Sequence, residues 1–202
     1  MIRFCLIVIL IFFSRQSFGK GVSIEAAAGL TSAQITNPDG SIAYYTGISL
    51  QPKGHLPIFD DKTWGVYFNL TGRYLTFENN ANYSVQRETG THLGPGFGLS
   101  ARFARFSMGA DYFYLRARHY LAGTVSGFQE FDYQPLSYFI SYNKPINNSM
   151  SLIFSYNKTT AVISAEKADI KADAQYEDTT LFLHIKIDTG ESLGKFLKGI
   201  FF

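Results

Sequence analysis

Cysteine is almost absent. Cys5 is the only one in the 202 residues, and it lies inside an apolar run at the start of the chain. Beyond that run no thiol is left for a disulfide, a zinc–thiolate site or a cysteine nucleophile. A charge excess is lacking too. Lys and Arg number 18 against 16 Asp and Glu, and two of the basic residues, Arg3 and Arg15, precede residue 20. The balanced remainder gives no electrostatic reason to expect nucleic acid as a partner. Past Phe13 no stretch approaches the roughly 20 apolar residues that a transmembrane helix needs. Histidine is scarce: His55, His92, His119 and His184 are scattered, with no metal-type spacing and no His-x-Ser pair. The expectation is no metal, no cofactor and no catalytic residue. A rim site joining His119 with Ser126 and Glu130 is the one arrangement that would support an acyl hydrolase.

The first 19 residues read as an export signal. Arg3 supplies a positive start, residues 4–13 are apolar, and Ser17 and Gly19 are small residues spaced for cleavage before Lys20. Cys5 sits away from that cleavage point, where a lipid anchor is not expected.

What is abundant is aromatic and alternating. The chain holds 13 Tyr and 19 Phe. In residues 93–103, Leu93, Phe97, Leu99, Ala101 and Phe103 fall on one parity and Gly94, Gly96, Gly98, Ser100 and Arg102 on the other. Successive side chains of a strand point to opposite faces, so this is a strand with one greasy side. After a reversal near 104–107, Met108, Ala110, Tyr112 and Tyr114 oppose Ser107, Gly109 and Asp111. Such alternation fits a soluble sandwich, or a membrane barrel with apolar side chains toward lipid. The export signal and the aromatic content favour the barrel.

Eight alternating segments follow one another in the mature chain, among them 22–34, 42–52, 64–77, 150–163 and 181–188. Their connections alternate between long and short. Outer-membrane barrels have this asymmetry, with short periplasmic turns and long outer loops. The chain resembles the small eight-stranded outer-membrane proteins typified by the OmpA transmembrane domain, OmpX and OmpW. The resemblance rests on pattern and connection lengths over nearly the whole mature chain. It implies an all-β, eight-stranded antiparallel transmembrane barrel in the outer membrane of a Gram-negative bacterium. Family roles include structural, adhesive and small-apolar-solute transport, so no residue's role is carried over.

Three domains are expected: a signal peptide at 1–19, a barrel at 20–189 and an amphipathic tail at 190–202. In the tail, Leu193, Phe196, Leu197, Ile200 and Phe201 recur at helical spacing, which predicts a short interfacial helix. An eight-stranded barrel is just wide enough for side chains to fill, so the lumen is expected to be a packed polar core. Glu25, Arg102, Asp111, Lys186 and Asp188 share inward parity low in the barrel and are expected to form a charge cluster, with Glu25 paired to Lys186 across the closing seam. Pro95 and Pro135 interrupt strands. Opposite Leu115 or Arg116 they would weaken one strand and mark a lateral portal for a lipid or apolar solute. Arg116 and Arg118 lie on the lipid parity near the outer end, where they would meet lipopolysaccharide phosphates, unless a bulge turns them inward.

The expected function is a structural or surface-interaction role without enzyme activity. Loops 37–41, 78–90, 122–127 and 166–178 would carry any contact with an extracellular ligand. Transport through the portal is the alternative, and a lipid-modifying enzyme the third. Outer-membrane lipid, lipopolysaccharide and the barrel assembly machinery are the expected partners of a monomer.

Overall fold

The structure, a computed structural model, describes residues 21–61, 63–79, 88–121, 128–164 and 172–190. The expected export signal, the expected amphipathic tail and most of three long connections lie outside them. Ten strands are formed: β1 (Ser23–Thr36), β2 (Ile42–Asp60), β3 (Trp64–Asn79), β4 (Glu88–Phe103), β5 (Phe106–Phe113), β6 (Leu115–Leu121), β7 (Phe128–Tyr133), β8 (Leu136–Pro145), β9 (Met150–Ile163) and β10 (Ala174–Asp188). All pairings are antiparallel, and β1 pairs with both β2 and β10, closing the sheet. β5 and β6 form one crossing, as do β7 and β8, so the wall is a closed barrel of eight crossings. No helix occurs among the described residues.

Parity decides which side chains meet solvent or lipid. Leu30, Leu70, Leu99 and Ile140 project outward and are half or more exposed, while Ser49, Asn69, Asp111 and Thr180 on the other parity are wholly buried. This is the alternation a barrel wall requires. On β3 the outward apolar positions run from Trp64 to Tyr74. Ten residue steps at roughly 3.3 Å each, tilted about 40°, cover about 25 Å, the height of a lipid-facing band. Trp64, Phe103 and Phe106 mark its lower edge and Tyr74 and Tyr114 its upper one.

Above that band the polarity inverts. Outward positions become mostly polar, as at Ser32, Thr46, Glu78, Thr89, Arg118, Asp132 and Lys158, with Ile42, Tyr44 and Val162 the exposed apolar exceptions. Inward positions become Ile35, Tyr45, Leu75, Phe77, Phe113, Leu115, Phe131, Tyr133, Ile163 and Tyr176, which form one buried cluster. The expected wholly polar lumen is therefore corrected: its outer third is an apolar core. This collar of wall, polar on its outer side and greasy within, is the arrangement expected of a barrel surrounded by water.

The two prolines are not where they were expected. The β4 register is unchanged between Gly96↔Phe113 and Leu93↔Arg116, which sets Pro95 against Tyr114. Likewise Tyr112↔Leu136 and Leu115↔Tyr133 set Pro135 against Phe113. Tyr114 N donates to Pro95 O at 2.9 Å and Phe113 N to Pro135 O at 3.0 Å. Proline has no N–H to return either bond. The ladders on both sides of this crossing thus each lose one bond at adjacent residues, at the top of the lipid-facing band.

The second crossing is longer than its sequence pattern suggested. β2 continues through Pro52, whose ring faces outward, and bends at a bulge between Pro57 and Phe59 before reaching Asp60. That extension supplies the lumen with Lys53, His55 and Asp60.

Candidate functional site in the lumen

The lumen is organised in layers, described from the end with the short turns. At the mouth, β4 brings Arg102 against Asp60 at 2.6 Å and against the Tyr67 hydroxyl at 3.0 Å. Lys186 and Asp188, both on β10, lie 3.4 Å apart. These two pairs hold three of the five expected cluster residues, apart from one another and with partners other than those expected.

One layer deeper sits Glu25. It is register-opposite Lys186, as expected, yet its carboxylate turns to histidines. His55 Nε2 lies 2.9 Å from Oε2, and His184 Nδ1 meets Oε1. The expected Glu25–Lys186 ion pair is thereby corrected. A register pair fixes backbone neighbours, and the longer Lys186 side chain turns to Asp188 near the mouth while Glu25 meets rings of equal depth. From His55 the chain of contacts runs through Asn69 (2.9 Å) to Asp111 Oδ1 (3.1 Å). Asp111 is paired to Lys53 at 2.6 Å, with Lys53 Nζ also 4.0 Å above the Phe139 ring. On the other side, His184 Nε2 lies 2.6 Å from Ser155 Oγ.

The third layer is a cross-lumen tie. Arg73 on β3 donates to Asp178 (2.8 Å) and Thr180 (3.1 Å) on β10 and to Thr159 (2.9 Å) on β9. With Nε donating to Ser49 at 3.4 Å, four donors of one planar group are spent on a fully buried lattice, the arrangement that makes a buried charge tolerable. Above it His92 and His119 stack, with Nε2 atoms 3.1 Å apart, inside the apolar collar. His92 Nδ1 also meets the Tyr133 hydroxyl. Among the described residues no three His, Cys, Asp or Glu side chains converge as a metal site.

The histidines, scattered in sequence, therefore form two pairs. All four share inward parity, which was the available signal. The rim arrangement is corrected: His119 is buried in the lumen, whereas Glu130 lies outside and pairs with Arg118 at 2.8 Å. Ser126 lies outside the described residues. Arg116 and Arg118 do face outward, and no bulge turns them in. Each is set opposite a carboxylate on β7, Arg116 to Asp132 at 2.9 Å. Beside them a groove of about 550 Å³ runs over the wall along Pro95, Tyr114, Leu115, Arg116 and Gln134. It ends on Leu115 and does not pass through, since Leu115 and Phe113 are almost wholly buried.

No protein-family model matches the chain, and neither does any curated protein. Solved structures do. The attachment invasion locus protein Ail of Yersinia pestis matches with a TM-score of 0.50 and 12% identity over 84% of this chain and 100% of its own. Neisserial surface protein A matches with a TM-score of 0.50 and 15% identity over 84% of this chain and 99% of its own. The fold is that of the small outer-membrane β-barrels.

Proposed function

We propose that the chain is an integral outer-membrane protein of a Gram-negative bacterium that works as a non-conducting, surface-displaying barrel. The observation that carries this reading is the collar. Its outer face is polar, its interior is closed by Tyr45, Leu75, Phe77 and Phe131, and it holds the loops away from the lipid. Below it the Arg73–Asp178 tie closes the lumen a second time. A wall with no free edge needs no partner to satisfy its ladders, which supports a monomer. Lipopolysaccharide at the collar's base, the assembly machinery and an extracellular ligand on loops 37–41, 78–90, 122–127 and 166–178 complete the reading. The likeness to a protein named for attachment and invasion fits a surface role without assigning one.

Reconstitution in a planar bilayer tests it. The purified protein is expected to give no conductance steps, and loop deletions are expected to abolish surface binding while leaving the barrel folded. Regular steps of open-channel size would contradict the closed lumen.

A second reading has its own observation. The missing ladder bonds at Phe113 and Tyr114, beside the outer groove, favour a lateral opening toward the lipid for a small apolar molecule. The buried Phe113 and Leu115 would have to move for such an opening to reach the lumen.

A further inference from the structure

We propose that Ser155 is an activated nucleophile, held by His184 and Glu25, and that it hydrolyses short acyl esters reaching it from the short-turn end of the lumen. This goes beyond the surface-display reading and does not rest on it, because the closures at Arg73 and in the collar lie above Ser155.

The geometry comes first. Ser155 Oγ is 2.6 Å from His184 Nε2, and the opposite ring nitrogen meets Glu25 Oε1. That Nδ1 is buried, and its contact with Glu25 is an ion-pair contact without hydrogen-bond alignment. Nucleophile, base and orienting carboxylate are recognised by this mutual arrangement, whatever fold presents them. The proton positions follow by elimination. A carboxylate only accepts, so the His184 proton belongs on Nδ1 and Nε2 is an acceptor. The Ser155 hydroxyl then donates to His184, the direction that general-base activation needs. Asn157 lies 2.9 Å from the same Oγ. The atom of Asn157 that faces Ser155 is its amide oxygen Oδ1, a second acceptor for the same hydroxyl proton.

Room and access come second. Around most of the lumen side chains are packed to zero exposure, as at Asn69, Thr159 and Thr180. In front of Ser155 a cavity of about 30 Å³ remains, edged by Ser155, His184, Lys53 and Phe139. The residues on its lower side, Arg102, Ser141, Asn143 and Lys186, are only partly buried, so it opens toward the short-turn mouth. That is room for about two waters, so only the reacting end of a substrate fits, an acetyl-sized group with its alcohol trailing toward the mouth.

The step balances with water as the only co-reactant. Ser155 Oγ bonds to the acyl carbon as its proton passes to His184 Nε2. The adduct expels the alcohol, which takes that proton. Water repeats the sequence on the acyl-serine and releases the acid, so ester and water become acid and alcohol. Ser155 and His184 are the catalytic residues, and Glu25 is a positioning residue.

The test uses full-length protein refolded in detergent, with p-nitrophenyl acetate as probe and the acetyl group mapped by mass spectrometry. Folded wild-type protein is expected to acquire one acetyl group on Ser155, and heat-unfolded protein none there. His184→Gln is expected to slow that acylation by about a hundredfold or more, the usual scale of a lost general base. Glu25→Asp is expected to retain more of the rate than Glu25→Gln, which a merely structural carboxylate would not produce. Acetylation confined to lysines, or equal at Ser155 in folded and unfolded protein, overturns the proposal. The comparison of folded with unfolded wild type stands even if a variant fails to fold.

Discussion

Arg73 Nη2 donates to Asp178 Oδ1 at 2.8 Å across the lumen, from the third crossing to the last. Neither strand neighbours the other in the wall, so the bond ties two sides of the barrel together. Both groups are buried. Removing one partner leaves an uncompensated charge, at a cost of about 3–5 kcal/mol, whereas replacing both by apolar groups of similar volume is often near neutral. Asp178→Ala is therefore expected to lower the unfolding free energy by that amount, and Arg73→Met with Asp178→Leu by much less. Denaturant unfolding of the refolded barrel reads both, and strictly additive losses would contradict the tie.

The pairing of Glu25 gives a second expectation. Its partners are His184 and His55, while Lys186 belongs to Asp188. A double-mutant cycle between Glu25 and His184 is expected to show a coupling of about 1 kcal/mol or more, and a cycle between Glu25 and Lys186 one near zero. The reverse order would restore the pair that strand register alone suggests.

Pro95 and Pro135 give a third. Each denies one ladder bond, to Tyr114 O and Phe113 O respectively. Pro95→Ala and Pro135→Ala put the N–H back, and a hydrogen bond contributes roughly 0.5–1.5 kcal/mol net. Amide exchange at residues 112–116 is expected to slow in the double variant. Unchanged exchange would mean the crossing is no weaker there than elsewhere, and the lateral opening would lose its support.

Much of this architecture was legible from parity. Leu70, Phe97, Leu99, Phe154 and Leu183 lie outward as their alternation requires, each between about four- and six-tenths exposed. What escaped has two physical causes. Pro52 reads as a strand end, because proline cannot donate to a ladder, yet β2 runs on past it with the ring turned outward. Lys53, His55 and Asp60 lie on that unread continuation, and they are the partners of Asp111, Glu25 and Arg102. With the true partners hidden, the remaining charges could only be matched with one another. The collar was missed because alternation tells inside from outside and not which side is wet. The signal was present in the outward Thr46, Glu78, Arg116, Arg118 and Asp132, polar residues on a parity that is apolar lower in the same wall.

Placement of the wall in the membrane is the central claim, and one measurement reaches it directly. The sequence contains no cysteine after Cys5, so single cysteines can be introduced along the outward parity of β3 with little background. In intact outer membranes, cysteines at Phe68, Leu70 and Tyr74 are expected to resist a water-soluble thiol reagent, and those at Thr76 and Glu78 to react rapidly. The change is expected between Tyr74 and Thr76, where the wall turns from apolar to polar outside. Rapid labelling at Phe68 and Leu70 would show a wall surrounded by water and would contradict the membrane barrel. Protection extending through Glu78 would contradict the collar.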